Sequence, residues 1–231
     1  MQQNPHVGHR ARVKQEFLQK GFDQNTPPHK VLEMLLFYAI PRKDTNEIAH
    51  SLINRFGSIS GVLDASVEDL VKVKGITENT AALIKLTVPL ARIYMCDRYE
   101  APAQFKSIED LGNFLIAHYF GYKEEVFSVT CFDSCGHLLG HEIIEYGDIS
   151  SVGVSTRKIV ESVFKCNGAN AVISHCHPDG LALPSKADIN ITQMIGNALK
   201  AIGVKLCDHI IVAGNDFVSL AQSAKYRDLF I

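Results

Sequence analysis

The run S-H-C-H-P-D-G-L-A-L-P-S-K-A-D sets His175 and His177 two residues apart at the end of an apolar segment, NAVISHCH. Ser185 stands eight residues after His177, and Asp188 three after Ser185. Residues i and i+2 of a strand point to the same side, so the two imidazoles converge while Cys176 faces away. Pro178 and Gly180 turn the chain, and Ser185 opens a segment with helical spacing. That carries Asp188, in the first helical turn, back toward the histidines. Two imidazoles, a carboxylate and a water make a tetrahedral zinc set with one exchangeable position. Ser185-x-x-Asp188 is also a helix capping box, which needs no metal. The conjunction of that box with two convergent histidines is what points to an ion.

These residues need a strand, a turn and a helix start to position them, and the surrounding pattern supplies all three. From about residue 108 the chain alternates: IEDLGNFLIAHYF is helical, EEVFSVTCFD and HLLGHEIIEYG are strands about a turn at Ser134-Cys135-Gly136, and TRKIVESVFKCNG is an amphipathic helix. NAVISHCH is a buried strand, SKADINITQMIGNALKAIG a helix, VKLCDHIIVAG a strand and DFVSLAQ a short last one. Strands alternating with helices make an α/β domain over residues 108–231. Residues 1–99 read as short helices: ARVKQEFLQKG, HKVLEMLLFYAI, TNEIAHSLINRFG capped by Thr45, SVEDLVKVKG with a Ser66/Asp69 capping box, and a longer one interrupted by Pro89. Residues 100–107 are the expected linker.

The spacing H-x-H, seven residues, S-x-x-D resembles the JAMM (MPN-plus, JAB-type) metalloprotease motif, and it matches throughout. The wider stretch is similar to the RadC family (UPF0758-type proteins): HCHPDG, the following P-S-x-x-D, and Asp208-His209 before Ile-Ile-Val. The segments RFGSISGVLDAS and VKVKGIT resemble that family's helix-hairpin-helix region, so the likeness spans nearly the whole chain. It implies a JAMM/MPN-like mixed sheet flanked by helices, preceded by an all-α helix-hairpin-helix domain. It also implies a general base at Glu125, heading VFSVTCFD, with Glu124 as the fallback. Ser185 would hydrogen-bond the water or the developing oxyanion. The chain departs from the family's pattern at Ser155-Thr156-Arg157-Lys158, where His-Pro-Arg-Glu is common, and at Asp179, where Ser is common. Both departures bear on what the site accepts.

Composition narrows the classes. The 231 residues carry a net charge of −2 with 46% hydrophobic and 21% charged residues, an ordinary globular balance. No apolar run is long enough for a membrane span, and MQQNPHVGHR lacks the apolar block of a signal peptide. A cytoplasmic location is the expectation. Six cysteines without a CxxC pair read as reduced and mostly buried. His209 reads as a core histidine bonded to a neighbour, and His137 and His141 as surface residues.

Three functions follow. The first is a zinc-dependent JAMM-type hydrolase acting on an amide or isopeptide bond of a protein or peptide. The second is a DNA-binding repair or recombination accessory protein, or a metal-dependent nuclease, with the MPN-like domain as platform. Residues 1–100 hold 13 Lys/Arg against 11 Asp/Glu, and LVKVKGITENTAALIKL resembles a DNA-binding hairpin around Gly75. Its turn reads Gly75-Ile76-Thr77 rather than Gly-hydrophobic-Gly, so weak DNA contact is expected there. The third is a catalytically silent scaffold, against which stands the full set of candidate ligands.

Overall fold

A computed structural model describes residues 8–41, 43–98, 103–147, 155–178 and 180–230. Part of the expected linker (100–102) and Asp179 therefore lie outside the described residues. The chain divides into two compact units, Met1–Leu90 and Ala91–Ile231.

The first unit is helical: α1 (His9–Lys20), α2 (Pro28–Ala39), α3 (Asn46–Phe56), α4 (Ile59–Asp64), α5 (Val67–Leu70) and the start of α6 (Glu78–Arg98). Leu32, Leu36, Leu52, Val62, Leu70, Ile76 and Ile84 are buried together in its core. The helix expected from Ser66 to Gly75 is a single turn. Beyond it, Val73 N–H bonds Leu70 O and Ile76 N–H bonds Val73 O, both at 3.0 Å. Tight three-residue turns put Leu70, Val73 and Ile76 all inside. Thr45 occupies the cap position of α3 without capping it, and its hydroxyl is buried without a partner. Asp44 Oδ1 accepts from Asn46 N–H instead, at 2.9 Å. Gly75 has φ +97°, and a Cβ there would stand 2.7 Å from Ile48 Cδ1, so close packing explains this glycine.

In the second unit α7 (Ile108–Tyr119) precedes β1 (Val126–Phe132) and β2 (Leu138–Tyr146). Then come α8 (Thr156–Lys165), β3 (Asn170–Cys176), α9 (Lys186–Ala201), β4 (Lys205–Ala213), β5 (Asp216–Ser219) and a 3-10 turn at Arg227–Phe230. The five strands form one mixed sheet in the order β2-β1-β3-β4-β5. Every pair is antiparallel except β3·β4, which α9 connects as the crossover a parallel pair needs.

The sheet is covered on both faces. Phe127, Val129, Ala171, Ile173 and Ile211 pack against Ile159, Val163, Ile191, Ile195 and Leu199 of α8 and α9. Val126, Val172, Cys176, Ile210 and Val212 pack against Leu111, Phe114 and Leu115 of α7. On this second face the hydroxyls of Tyr119, Ser128 and Ser174 close a buried triangle of 2.6, 2.9 and 2.8 Å edges, so each is satisfied without water.

Register matters at one place. Ala171 pairs with Leu206, but Val172 pairs with Asp208, so Cys207 is an extra residue in β4. Were Cys207 paired regularly with Val172, His209 would share the face of Ser174. With Cys207 outside the pairing, His209 lies opposite Ile173 and on the same face as His175.

All six cysteines are free thiols; Cys131 and Cys176 are buried, Cys135 is exposed and the other three are half-buried. His137 is exposed and bonded to Asp133 Oδ2 at 2.8 Å. The surface reading of His141 is wrong. Its ring lies under α7 against Phe114 and His118, with Nδ1 3.0 Å from Thr130 Oγ1 and Nε2 buried without a partner. Strand alternation explains the difference: His141 pairs with Thr130, whose side chain points to the α7 face.

Candidate metal centre

β3 is buried from Ala171 to Cys176, and its last residues carry the histidines to the end of the sheet. His175 is fully buried and His177 half-buried just beyond the strand, where Val212 O still accepts its N–H at 2.8 Å. α9 begins at Lys186 with Ser185 as its cap. Donor atoms of His175, His177 and Asp188 lie within 4.8 Å of one another. His175 Nε2 is 2.9 Å from His177 Nε2 and 3.3 Å from Asp188 Oδ1. The three residues singled out from spacing do converge.

The capping box and the ligand geometry turn out to be one arrangement. Ser185 N–H donates to Asp188 Oδ2 at 2.6 Å, and Asp188 N–H donates to Ser185 Oγ at 3.2 Å. The cap uses one carboxylate oxygen and leaves Oδ1 facing His175.

Proton positions follow from the partners. Thr192 Oγ1 is 2.6 Å from Asp188 O and 2.7 Å from His209 Nδ1. Two oxygens that close need a proton between them, and only the hydroxyl has one. It donates to the carbonyl, so it accepts from His209 Nδ1–H. His209 Nε2 is then bare and accepts from His175 Nδ1–H at 2.9 Å. On the other side, His177 Nδ1 can only donate to Leu181 O, 2.9 Å away. With both Nδ1 atoms donating, the two Nε2 atoms face each other beside a carboxylate oxygen, and their 2.9 Å approach calls for a cation or a proton between them. Burial pushes the His175 imidazole below its ordinary range, against the upward pull of the Asp188 carboxylate. Burial likewise pushes His209 well below the ordinary imidazole range. Two imidazole lone pairs and a carboxylate oxygen in one place suit a divalent cation, and the N/N/O set suits zinc.

Glu125 immediately precedes β1. Phe127, two residues on, pairs with His175. Glu124 is exposed, whereas Glu125 is half-buried. Ser185 is exposed at the mouth of the site. In the Ser155-Thr156-Arg157-Lys158 stretch, which keeps the arginine of the family's pattern, Ser155 caps α8 by accepting from Lys158 N–H, Arg157 pairs with Glu161 and Lys158 with Glu145.

A RadC-like JAB domain model matches residues 105–226, which contain the whole constellation. The chain belongs to the RadC family. A UPF0758 protein of Fusobacterium nucleatum is 31% identical over 229 residues, covering 96% of this chain and 98% of that one. A UPF0758 protein of Pseudoalteromonas translucida is 31% identical over 211 residues, covering 91% and 94%. As a RadC-family member the chain carries its three candidate ligands on the JAB-type sheet, at the end of β3 and the start of α9.

Sequence reasoning placed His209 in the core with a hydrogen-bonding neighbour, and it is there. It missed that the neighbour is His175, and it missed Thr192 altogether. The signals were present: Thr192 stands one helical turn after Asp188, and Asp208-His209 precedes an apolar strand.

Proposed function

We propose that this RadC-family protein is a metal-dependent amide hydrolase, of the peptidase or isopeptidase kind, with His175, His177 and Asp188 as the ligands of a zinc ion. The observation that carries the reading is the meeting of His175 Nε2, His177 Nε2 and Asp188 Oδ1, each imidazole being held by its other nitrogen. An ion held there supplies Lewis acidity, acidifying water and polarising a carbonyl.

The remaining roles belong to the chain. Glu125, half-buried just before β1, takes the proton of the attacking water and returns it to the leaving nitrogen. The Ser185 hydroxyl accepts from Asp188 N–H and keeps its own proton. It is exposed at the site and donates to the substrate oxygen as negative charge develops there. α9 begins at the same point, so its N-terminal dipole favours that charge.

The deciding measurement is metal content of the purified protein by mass spectrometry, wild type against His177→Ala, alongside cleavage of fluorogenic peptide and isopeptide substrates. About one zinc per chain is expected in the wild type. A variant that keeps its full metal complement refutes the site.

The DNA-accessory reading has less behind it. Lys72 is held by Asp69 at 2.8 Å, and the conformation and packing of Gly75 account for that residue without a phosphate. Its test is duplex binding at low salt, which should fall steeply as salt rises.

A further inference from the structure

His209 and Thr192 are fully buried, and they form a continuous hydrogen-bond path between two of the three proposed ligands. The path begins at the imidazole of His175 on β3, crosses His209 on β4 and Thr192 on α9, and ends on the backbone carbonyl of Asp188. Each link has one allowed direction. A carbonyl only accepts, which fixes the Thr192 hydroxyl. The fixed hydroxyl leaves only an acceptor for His209 Nδ1. His209 Nε2 then has only a lone pair for His175. All of these atoms are buried, so water does not offer alternative partners.

We infer that His209 and Thr192 act as a tautomer lock: they hold the proton of His175 on Nδ1, so that its Nε2 lone pair faces the metal site in the metal-free protein. These are positioning residues. The inference rests on the metal reading above for its purpose, but the proton order itself is a property of the protein without an ion.

The lock makes an unusual demand of Thr192. Val has nearly the same shape and would fill the same space. It has no oxygen, so His209 Nδ1–H would lose its acceptor. The preferred tautomer of His209 would then carry its proton on Nε2, donating to His175 Nδ1. His175 would hold its proton on Nε2, inside the proposed site, where an ion must displace it. A side chain without any contact to the ion would thus set how readily the ion enters. A purely structural role for Thr192 predicts no such effect.

The test uses the full-length, chelator-treated protein above the imidazole titration range. Long-range nitrogen–proton NMR of the histidine rings reads the tautomers directly. Wild type should show Nδ1–H for both His175 and His209, and Thr192→Val should show Nε2–H for both. Zinc affinity, measured by competition with a chromophoric chelator, should fall about 10- to 100-fold in Thr192→Val. It should return to near the wild-type value in Thr192→Ser, which restores the hydroxyl. The visible spectrum of the cobalt-substituted protein should shift in Thr192→Val and recover in Thr192→Ser.

Finding His175 as the Nε2–H tautomer in the wild type overturns the lock. So does wild-type zinc affinity in a Thr192→Val protein with an unchanged melting temperature. If Thr192→Val does not fold, the wild-type and Thr192→Ser spectra decide the matter. The tautomers are read without metal, so absence of zinc binding by wild type would sink the hydrolase reading while leaving this proton order intact.

Discussion

Asp188 has two duties, and they do not compete because a carboxylate has two oxygens. Oδ2 closes the cap with Ser185 N–H while Oδ1 faces His175. The duties can be separated by substitution. Asp188→Asn keeps an oxygen for the cap but presents an amide to the histidines, so zinc should be lost while the melting temperature of the metal-free protein changes little. Ser185→Ala removes the cap hydroxyl and should cost about 1 kcal/mol in urea denaturation, with zinc retained. A second pair of variants tests the base. Glu125→Gln should keep the metal and abolish turnover, whereas Glu124→Gln should remain active; the reverse result would put the base one residue earlier. The ligand triplet was legible because H-x-H on a strand and S-x-x-D at a helix start are local patterns. Thr192 and His209 were not, because two residues in separate elements become partners only once the sheet is assembled.

At the scale of elements, α7 lies close to the edge of the sheet at Gly112. A Cβ there would stand 2.5 Å from Phe217 Cδ1 and Cζ of β5, and nearer still to Cε1. Gly112→Ala should therefore destabilise by about 1–3 kcal/mol, despite the better helix propensity of alanine. Phe217→Leu should recover part of that loss in a double-mutant cycle measured by urea denaturation. Most elements could be read from period and caps, since the strands of the second unit run apolar and its helices have defined starts. The exceptions have physical reasons. α5 gave way to tight turns that bury three apolar residues at three-residue spacing. His141 was misread because its polar character hid a strand position under α7.

For the whole molecule, each unit has its own core. The buried cluster of the first runs from Leu32 to Ile84, and those of the second lie between Leu111 and Phe230. Arg92, at the end of α6, donates to Phe120 O at 3.1 Å and lies 4.0 Å over the Tyr122 ring, so a fragment should begin at Ala91. Residues 91–231 alone should fold with a cooperative melt and bind zinc as the full chain does. The second unit should also be acid-sensitive. Burial and then the neighbouring His118 push His141 down to about 3, well below its value in the unfolded chain. The unfolded chain takes up this proton first, so stability is full above about pH 6.5 and drains as the pH falls toward 3. The loss from this one group between pH 6.5 and 5 is on the order of 2 kcal/mol, at about 1.4 kcal/mol per unit. Melts of His141→Leu should show a flatter acid limb, provided the variant folds; an unchanged limb would place the sensitivity elsewhere.

The extra residue Cys207 gives β4 one residue of slack. Deleting it would join Leu206 to Asp208 with their partners Ala171 and Val172 unchanged, so His209 would stay opposite Ile173 and behind His175. What the site does not accept is Cys207 drawn into the ladder opposite Val172. His209 would then turn toward the hydroxyl triangle of Tyr119, Ser128 and Ser174, and Ile210 would take the face of His175. The position is thus a register constraint rather than a length constraint: chains with or without a residue there can place an imidazole behind the first ligand, so long as an extra residue stays outside the pairing.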